Sequence, residues 1–221
     1  MYLVEGNVGA GKSTLLSLLS QQLPLVQVVF EAVNSWDKVD HGTSLLAHFY
    51  KDTARWSYTM ETFTMFKRIQ EHLREQADTN PFRIIERSLY SGHYCFARNG
   101  YLQGVLDEAE WVLYNKWFTF LVEQRCKSPH GFIYLQTDPK VCYDRAKKRS
   151  RSSEETIPLT YFEQIHNQHE EFLIKKHGIL PGLKDVPVLV LDVSAEFETN
   201  EERIKECAEK IYDFMLLTSS R

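Results

Sequence analysis

Residues 6–14 read Gly6-Asn7-Val8-Gly9-Ala10-Gly11-Lys12-Ser13-Thr14, which is a complete G-x-x-x-x-G-K-[ST] pattern. Its glycines let successive backbone N–H groups point into a concave loop around phosphate oxygens, at the positive end of the helix that follows. The apolar run Tyr2–Glu5 precedes the pattern, and the leucine-rich helical pattern Thr14–Leu23 follows it. This order predicts a nucleotide-binding P-loop, in which Lys12 bridges the β- and γ-phosphates and the Ser13 hydroxyl binds Mg²⁺.

Four further apolar runs are typical of buried strands, because they are too short for helices and are bounded by turn residues. They are Val26–Phe30, Phe82–Ile85, Phe132–Leu135 and Val186–Leu191. Helical patterns lie between and after them, at Trp56–Glu75, Glu108–Cys126 and Glu201–Leu217. Strands that alternate with helices predict an α/β fold with a parallel sheet, and we expect one domain over residues 1–221. Ligands of such sheets bind beyond the carboxyl ends of the strands.

The composition is that of an ordinary globular chain, with 221 residues, 43% hydrophobic and 25% charged. No apolar run approaches the roughly 20 residues that span a bilayer, and residues 1–25 lack the features of a signal peptide. The four cysteines are far apart, as is typical of a reducing compartment. A net charge of −4 argues against a large nucleic-acid-binding surface. We therefore expect an intracellular, cytoplasmic protein with neither a nucleic-acid nor a membrane partner.

The ends of the other predicted strands distinguish among the classes of P-loop protein. A guanine-specific switch needs N-K-x-D after a late strand, and the Asn115-Lys116 pair continues instead into an aromatic helix. The second strand ends at Glu31, and the third ends at Glu86 and Arg87. A carboxylate at the first position can accept a proton from a hydroxyl group, and one at the second can hold Mg²⁺. This pattern favours a small-molecule kinase over polar residues that merely close two strands.

A cluster of basic side chains follows the fourth strand, on a helix that begins near Pro139. Its members are Arg145, Lys147, Lys148, Arg149 and Arg151, followed by Ser152-Ser153-Glu154-Glu155. Such clusters are often solvated faces or nucleic-acid patches. At this edge of a P-loop sheet, however, mobile arginines can close over a transferring phosphoryl group. We predict an arginine-rich lid at about residues 145–156.

Taken together, the motifs resemble those of the deoxyribonucleoside kinase family, which includes deoxycytidine and deoxyguanosine kinases, mitochondrial thymidine kinase and the insect multisubstrate enzyme. The similarity runs from Tyr2 to about Leu191. It includes, beside the P-loop, Glu31-Ala32-Val33 with Trp36, Tyr50-Lys51-Asp52 with Arg55-Trp56, Glu86-Arg87-Ser88 with Tyr90-Ser91, and Arg149-x-Arg151 with Glu154-Glu155 before Ile157-Pro158-Leu159. The resemblance implies ATP-dependent phosphorylation of a deoxynucleoside 5′-hydroxyl, a five-stranded parallel sheet and a homodimer.

The resemblance also implies roles for individual residues. Glu31 matches the general base, Arg87 the arginine that orients it, and Glu86 the acid on the Mg²⁺ side. Tyr50 and Glu155 match the pair that binds the sugar 3′-hydroxyl. Residues that match contacts to the base or to the transferred phosphate are Trp36, Phe96, Arg145, Arg149 and Arg151.

Three departures from the family pattern leave the preferred base open. Glu61 replaces the usual glutamine that reads the base and follows Met60, where an aromatic residue is usual. Gly92 replaces the aspartate of the deoxycytidine and deoxyguanosine enzymes, although its companion Arg68 is kept. The predicted lid is one residue longer than is usual in the family. An ionised Glu61 only accepts hydrogen bonds, which favours an amino-bearing base, with purines slightly ahead of cytosine. If Glu61 pairs with Arg68 or is protonated, a thymidine-preferring or multisubstrate kinase becomes the alternative.

Two competing classes remain. A nucleoside monophosphate kinase shares the fold but needs arginines around the acceptor's phosphate, whereas the acceptor pocket predicted here is built differently. Its residues are Glu31, Trp36, Tyr50 and Glu61. A non-catalytic nucleotide-binding protein could lose its general base and its lid arginines, but this sequence keeps both.

His166 and His169 could share a metal but lack an evident third ligand. The aromatic stripe at Trp111, Tyr114, Trp117, Phe118 and Phe120 is more typical of a core or a dimer interface than of a cofactor site.

Overall fold

A computed structural model describes residues 1–31, 45–149, 157–195 and 200–219. Its five strands form one sheet in the order β2-β3-β1-β4-β5, with every neighbouring pair parallel. The strands are β1 (Tyr2–Gly6), β2 (Gln27–Val29), β3 (Arg83–Glu86), β4 (Gly131–Gln136) and β5 (Val188–Asp192). The predicted parallel α/β sheet is therefore confirmed, although β2 is shorter than the run Val26–Phe30.

Helices connect and cover the strands on both faces of the sheet. The longer ones are α1 (Lys12–Gln22), α2 (Leu45–Lys51), α3 (Thr53–Glu75), α6 (Glu108–Arg125), α7 (Pro139–Arg149), α8 (Leu159–His169) and α10 (Glu201–Thr218). The shorter ones are α4 (Leu89–Ser91), α5 (Arg98–Leu102) and α9 (Pro181–Lys184), together with π-helical turns at Gly92–Ala97 and Glu170–Ile174. Within the described ranges, no helix combines the length and apolar character needed to cross a membrane.

The central strand β1 explains why two separate apolar layers form. Its side chains alternate across the sheet, so Leu3 packs with α3 and α6 while Tyr2 and Val4 pack with α1 and α10. The Tyr2 hydroxyl donates to the Met215 carbonyl oxygen at 2.9 Å, which fixes α10 against the sheet. Because both faces are covered, the carboxyl edge of the sheet is where polar side chains can gather.

The register of the strands decides which polar residues meet at that edge. Leu3 pairs with Ile85 of β3 on one side and with Phe132 of β4 on the other. Beyond the pairing, the Arg87 N–H donates to the Val4 carbonyl oxygen at 2.8 Å. The loop after β1 therefore lies beside the residues that follow β3, and β2 delivers Glu31 to the same place.

The aromatic stripe of α6 divides into two groups. Tyr114 and Phe118 are buried in the core beside the sheet, and Trp111 is packed against that core. Trp117 and Phe120 are exposed. One part of the stripe is therefore core, as predicted, and the other is a surface.

Candidate active site

The loop between β1 and α1 has the backbone that its glycines predict. Gly9 and Gly11 have φ values of +74° and +92°, a left-handed region that residues with a Cβ rarely adopt. A Cβ on Gly9 would also lie 2.3 Å from the Cys142 carbonyl oxygen of α7. The Asn7 side chain closes the loop, since its amide donates to the Phe162 carbonyl oxygen at 2.8 Å and its oxygen accepts from the Val8 N–H at 2.8 Å. The predicted Gly6–Thr14 segment thus forms a compact cradle at a helix N-terminus.

Lys12 is buried and folds back into this cradle. Its ammonium group donates to the carbonyl oxygens of Gly6 at 3.0 Å and Asn7 at 2.7 Å. Burial, with the charge of Arg87 as a smaller cause, lowers the pKa of Lys12 to about 7. Negative phosphate oxygens in the cradle would favour the charged form, so the site is suited to an anion.

Glu31 lies at the carboxyl edge of the sheet between two guanidinium groups. Its Oε1 accepts hydrogen bonds from Arg68 Nε at 3.2 Å and Nη2 at 2.7 Å, and its Oε2 lies 3.3 Å from Arg87 Nε. Burial by itself would raise the pKa of Glu31, but the charges of Arg68 and Arg87 outweigh it and the net direction is downward. The carboxylate is therefore held ionised and in a fixed orientation.

Glu86 and Ser13 form an oxygen-rich pair beside Glu31. The Ser13 hydroxyl donates to Glu86 Oε1 at 2.6 Å, and the Glu31 N–H donates to Glu86 Oε2 at 3.3 Å. A hydroxyl and a carboxylate at the mouth of a phosphate cradle are the hard oxygen donors that Mg²⁺ prefers. The residues present therefore fit the cation that the sequence predicts.

Arg87 links these groups to the aromatic side of the site. It is one of two non-glycine residues with a positive φ, +60°, among those the structure describes. This conformation costs roughly 1–2 kcal/mol for a residue with a side chain. With this backbone conformation, the Arg87 side chain contacts Glu31 and donates to the Gly6 carbonyl oxygen at 3.3 Å. Its Cζ atom lies 4.6 Å from the centre of the Phe96 ring. Phe96 therefore lies beside Arg87, and its packing on the base stays a prediction.

The residues predicted to read the base lie in two places along α3. Met60 is buried against Leu45 of α2, so its side chain belongs to the packing between these helices. Glu61 is half-buried, and burial raises its pKa to about 7 against the opposing charge of Arg68. Arg68 donates to Glu31, which favours the protonated alternative for Glu61 over a simple Glu61–Arg68 pair. Burial therefore shifts Glu61 toward its protonated form.

A cavity of about 300 Å³ opens beside this cluster, and Glu31, Arg68, Glu86 and Arg87 are among the described residues that line it. That volume is at the lower end of the range for small-molecule sites.

The described part of the lid begins on α7. Arg145 donates to the carbonyl oxygens of Val193 at 3.0 Å and Ala195 at 3.2 Å, which ties α7 to the end of β5. Arg149 is exposed at the last residue of α7. Four of the predicted site groups lie outside the described residues: Trp36, Arg151, Glu155 and the side chain of Tyr50.

Comparison with known proteins assigns the chain to a family. The family described as "Deoxynucleoside kinase" matches residues 2–216. This chain is a member of that family. Deoxynucleoside kinases are phosphotransferases that use ATP, so the predicted reaction class is confirmed in general terms.

Relatives with different base preferences in their names are similar to about the same degree. Deoxyguanosine kinase, mitochondrial, of Xenopus laevis is 34% identical over 96% of this chain and 88% of its own length. Thymidine kinase 2, mitochondrial, of Homo sapiens is 37% identical over 91% and 76%. Deoxycytidine kinase of Homo sapiens is 33% identical over 96% and 89%. Identity therefore does not select a base for this deoxynucleoside kinase, and its cytoplasmic location stays a prediction.

Sequence reasoning missed one ionisable group of the kinase site. Glu5 lies on β1 directly before the P-loop and is fully buried. Among the described residues, no donor lies in hydrogen-bonding position to either of its carboxylate oxygens. Burial raises the pKa of Glu5, while Ser88, Ser91 and Arg87 oppose the rise. The available signal was a single carboxylate within an otherwise apolar central strand.

No metal centre of another kind is evident in the part of the kinase that the structure describes, because no three His, Cys, Asp or Glu side chains are grouped to hold an ion. His169 is buried, with its Nδ1 2.8 Å from the Ile165 carbonyl oxygen. His166 lies 3.9 Å from Glu170. Both histidines therefore have structural partners in the described chain.

Proposed function

We propose that this kinase transfers the γ-phosphoryl group of ATP to the 5′-hydroxyl of a deoxynucleoside, with Glu31 as the general base. The observation that supports it is the position of Glu31, an ionised carboxylate fixed by Arg68 and Arg87 at the sheet edge beside the P-loop. Glu31 accepts the hydroxyl proton as the oxygen attacks, and Arg87 holds the carboxylate toward the reacting phosphoryl group. Lys12 and the backbone N–H groups of the loop bind the phosphates.

Ser13 and Glu86 would hold Mg²⁺, which supplies charge neutralisation at the β- and γ-phosphates when bound. Arg149 and Arg151 would close over the phosphoryl group from the lid. Arg145, which the resemblance matches to the same set of lid arginines, would instead hold the lid helix to β5 through the Val193 and Ala195 carbonyl oxygens. Tyr50 and Glu155 would bind the sugar 3′-hydroxyl, and Trp36 and Phe96 would pack on the base.

A coupled assay with ATP tests this function on the full chain. The four natural deoxynucleosides are the substrates, and their 5′-monophosphates are the controls. Formation of deoxynucleoside monophosphates without turnover of the controls supports the proposal. Turnover of the monophosphates alone would identify the competing monophosphate kinase, and turnover of neither would exclude both kinases.

For the substrate class, we favour an amino-bearing base, guanine or adenine slightly ahead of cytosine. Ionised Glu61 can accept from the adjacent N1–H and N2–H₂ groups of guanine, or from the amino group of adenine or cytosine. Protonated Glu61 also donates, so it can serve thymine as a glutamine would. The thymidine-preferring alternative therefore applies to the low-pH form of the same site.

The protonation of Glu61 should make the base preference of the kinase depend on pH. Because the pKa of Glu61 is about 7, raising the pH from 6 to 8 removes the proton from Glu61. The ratio of kcat/KM for deoxyguanosine to that for thymidine should therefore rise, by about tenfold for one charge-assisted hydrogen bond gained or lost. In Glu61→Gln the ratio should be flat across this range. A ratio in the unmodified kinase that does not change with pH would show that Glu61 does not read the base.

The exposed apolar face of α6 supports the homodimer that the family resemblance implies. Leu113, Trp117 and Phe120 are 50%, 53% and 46% exposed and follow a helical spacing of i, i+4 and i+7. Two such faces can bury each other about a two-fold axis. Trp117→Glu should place a charge in that interface and shift the mass measured by analytical ultracentrifugation from dimer to monomer. A matched substitution on the exposed side of α10, Glu209→Gln, should leave the mass unchanged. A monomeric unmodified kinase would contradict the dimer.

A further inference from the structure

Gly92 has a backbone conformation that does not require glycine. Gly92 lies where α4 passes into the π-helical turn, with φ −52° and ψ −49°, an ordinary helical conformation. Alanine is favoured over glycine in that conformation. The reason for glycine must therefore be the space that a side chain would take.

Arg68 occupies that space. A Cβ on Gly92 would lie 2.6 Å from Arg68 Nη1, closer than real side chains approach, and the Cζ and Cδ atoms of Arg68 are the next nearest neighbours. The guanidinium group is planar and rigid, so Nη1 cannot move without moving Nε and Nη2. Those two nitrogens are the ones that donate to Glu31 Oε1, at 3.2 Å and 2.7 Å. The same plane therefore touches Gly92 on one side and the general base on the other.

The surroundings decide where Arg68 can move aside, because it lines the cavity of about 300 Å³ and a turn into that space would carry Nε and Nη2 away from Glu31. The Arg68 side chain is only 12% exposed and comes from the middle of α3. Among the described residues, the charged groups that face Glu31 from the neighbouring elements are Arg68 of α3, Arg87 and Glu86 at the end of β3, and Lys12 of α1. Arg87 binds the other carboxylate oxygen. If Arg68 were displaced, Glu31 would keep its ion pair with Arg87 at Oε2 but would lose the hydrogen bonds that Arg68 donates to Oε1.

We propose that Gly92 is a positioning residue for the general base, because the absence of a side chain at this position lets Arg68 bind and orient Glu31. This inference rests on the proposed function. It assigns Arg68 to the catalytic carboxylate and makes position 92 a determinant of kcat.

A different role for Gly92 would be to leave room for the base of the substrate. That role predicts that a side chain at position 92 weakens nucleoside binding, most for the largest base, and leaves kcat for bound substrate unchanged. The proposed role predicts the reverse. The division of the effect between kcat and KM therefore separates the two.

The test is a double-mutant cycle of Gly92→Ala, Arg68→Met and both together. Gly92→Ala should lower kcat about tenfold, the effect of losing a hydrogen bond to a charged group. Its KM for ATP and its calorimetric Kd for the nucleoside should stay within about twofold. In the Arg68→Met background, Gly92→Ala should cause no further loss of kcat, because its effect passes through Arg68.

A matched control is Gly100→Ala in α5, where a Cβ would meet Leu106 at 3.6 Å and Ser57 at 3.7 Å, both ordinary contacts. Its kcat should equal that of the unmodified kinase, and thermal unfolding should show that all variants are folded. Additive losses in the cycle, an unchanged kcat in Gly92→Ala or a loss confined to KM would each overturn the inference and leave the proposed function standing. Failure of the proposed function would show instead as an unmodified chain that does not phosphorylate deoxynucleosides.

Discussion

Glu31→Gln should lower kcat by about 10²-fold or more, with only a modest change in nucleoside affinity. A general base typically contributes 10²–10⁴-fold, and an amide cannot accept the hydroxyl proton. The amide also presents one oxygen and one NH₂ group, whereas Glu31 accepts from Arg68 on one oxygen and forms an ion pair with Arg87 through the other. One arginine would then face a donor, so the orientation of residue 31 is lost together with its basicity.

Steady-state kinetics with the preferred deoxynucleoside and calorimetric binding without ATP measure the two quantities separately. Glu123→Gln, at an exposed position of α6, removes one carboxylate far from the reacting groups and should keep full turnover. Near-normal turnover in folded Glu31→Gln would remove Glu31 from the mechanism.

The residues at the sheet edge could be predicted because they depend on position along the chain. An apolar run too short for a helix, followed by Glu31 or by Glu86 and Arg87, predicts a strand with polar residues at its carboxyl end. The sheet then brings the ends of neighbouring strands together, whatever the side chains do. For the same reason, the Ser13–Glu86 contact follows from a P-loop beside β3.

The partners of the long side chains could not be predicted in this way. Arg68 is two helical turns from Glu61 on the same helix, so the sequence suggests that the two pair with each other or read the base. In the structure, Arg68 instead reaches β2 and binds Glu31. That choice depends on the space above Gly92, which is a tertiary property. Arg145 is a second case, since its donors go to backbone carbonyl oxygens after β5, which carry no signal in the sequence.

Buried charge was the other feature that the sequence concealed. Glu5 reads as the last residue of a strand, but the structure buries it completely, near Ser88, Ser91 and Arg87. An apolar pattern indicates which positions are buried and does not indicate which polar residue is buried with them. The shifted pKa values of Lys12 and Glu61 likewise require the packed structure.

Lys12→Ala should reduce kcat by about 10²-fold or more, the usual effect of removing one preorganised donor from the charge that develops in the transition state. Its ammonium group lies inside the loop on the Gly6 and Asn7 carbonyl oxygens, where it would meet the phosphates of ATP. Arg149→Ala should have the same kind of effect from the lid. Both variants leave the Glu31–Arg68 pair in place, so nucleoside affinity measured by calorimetry without ATP should stay nearly intact.

The same measurements on Lys140→Ala provide the control, because Lys140 is an exposed lysine of α7 whose described ion pair is with Asp144. Its turnover and affinity should both be unchanged. Thermal unfolding should show that Lys12→Ala and Arg149→Ala are both folded. A collapse of nucleoside affinity in folded Lys12→Ala and Arg149→Ala would place these residues on the acceptor side of the site and contradict their assignment to the phosphate donor.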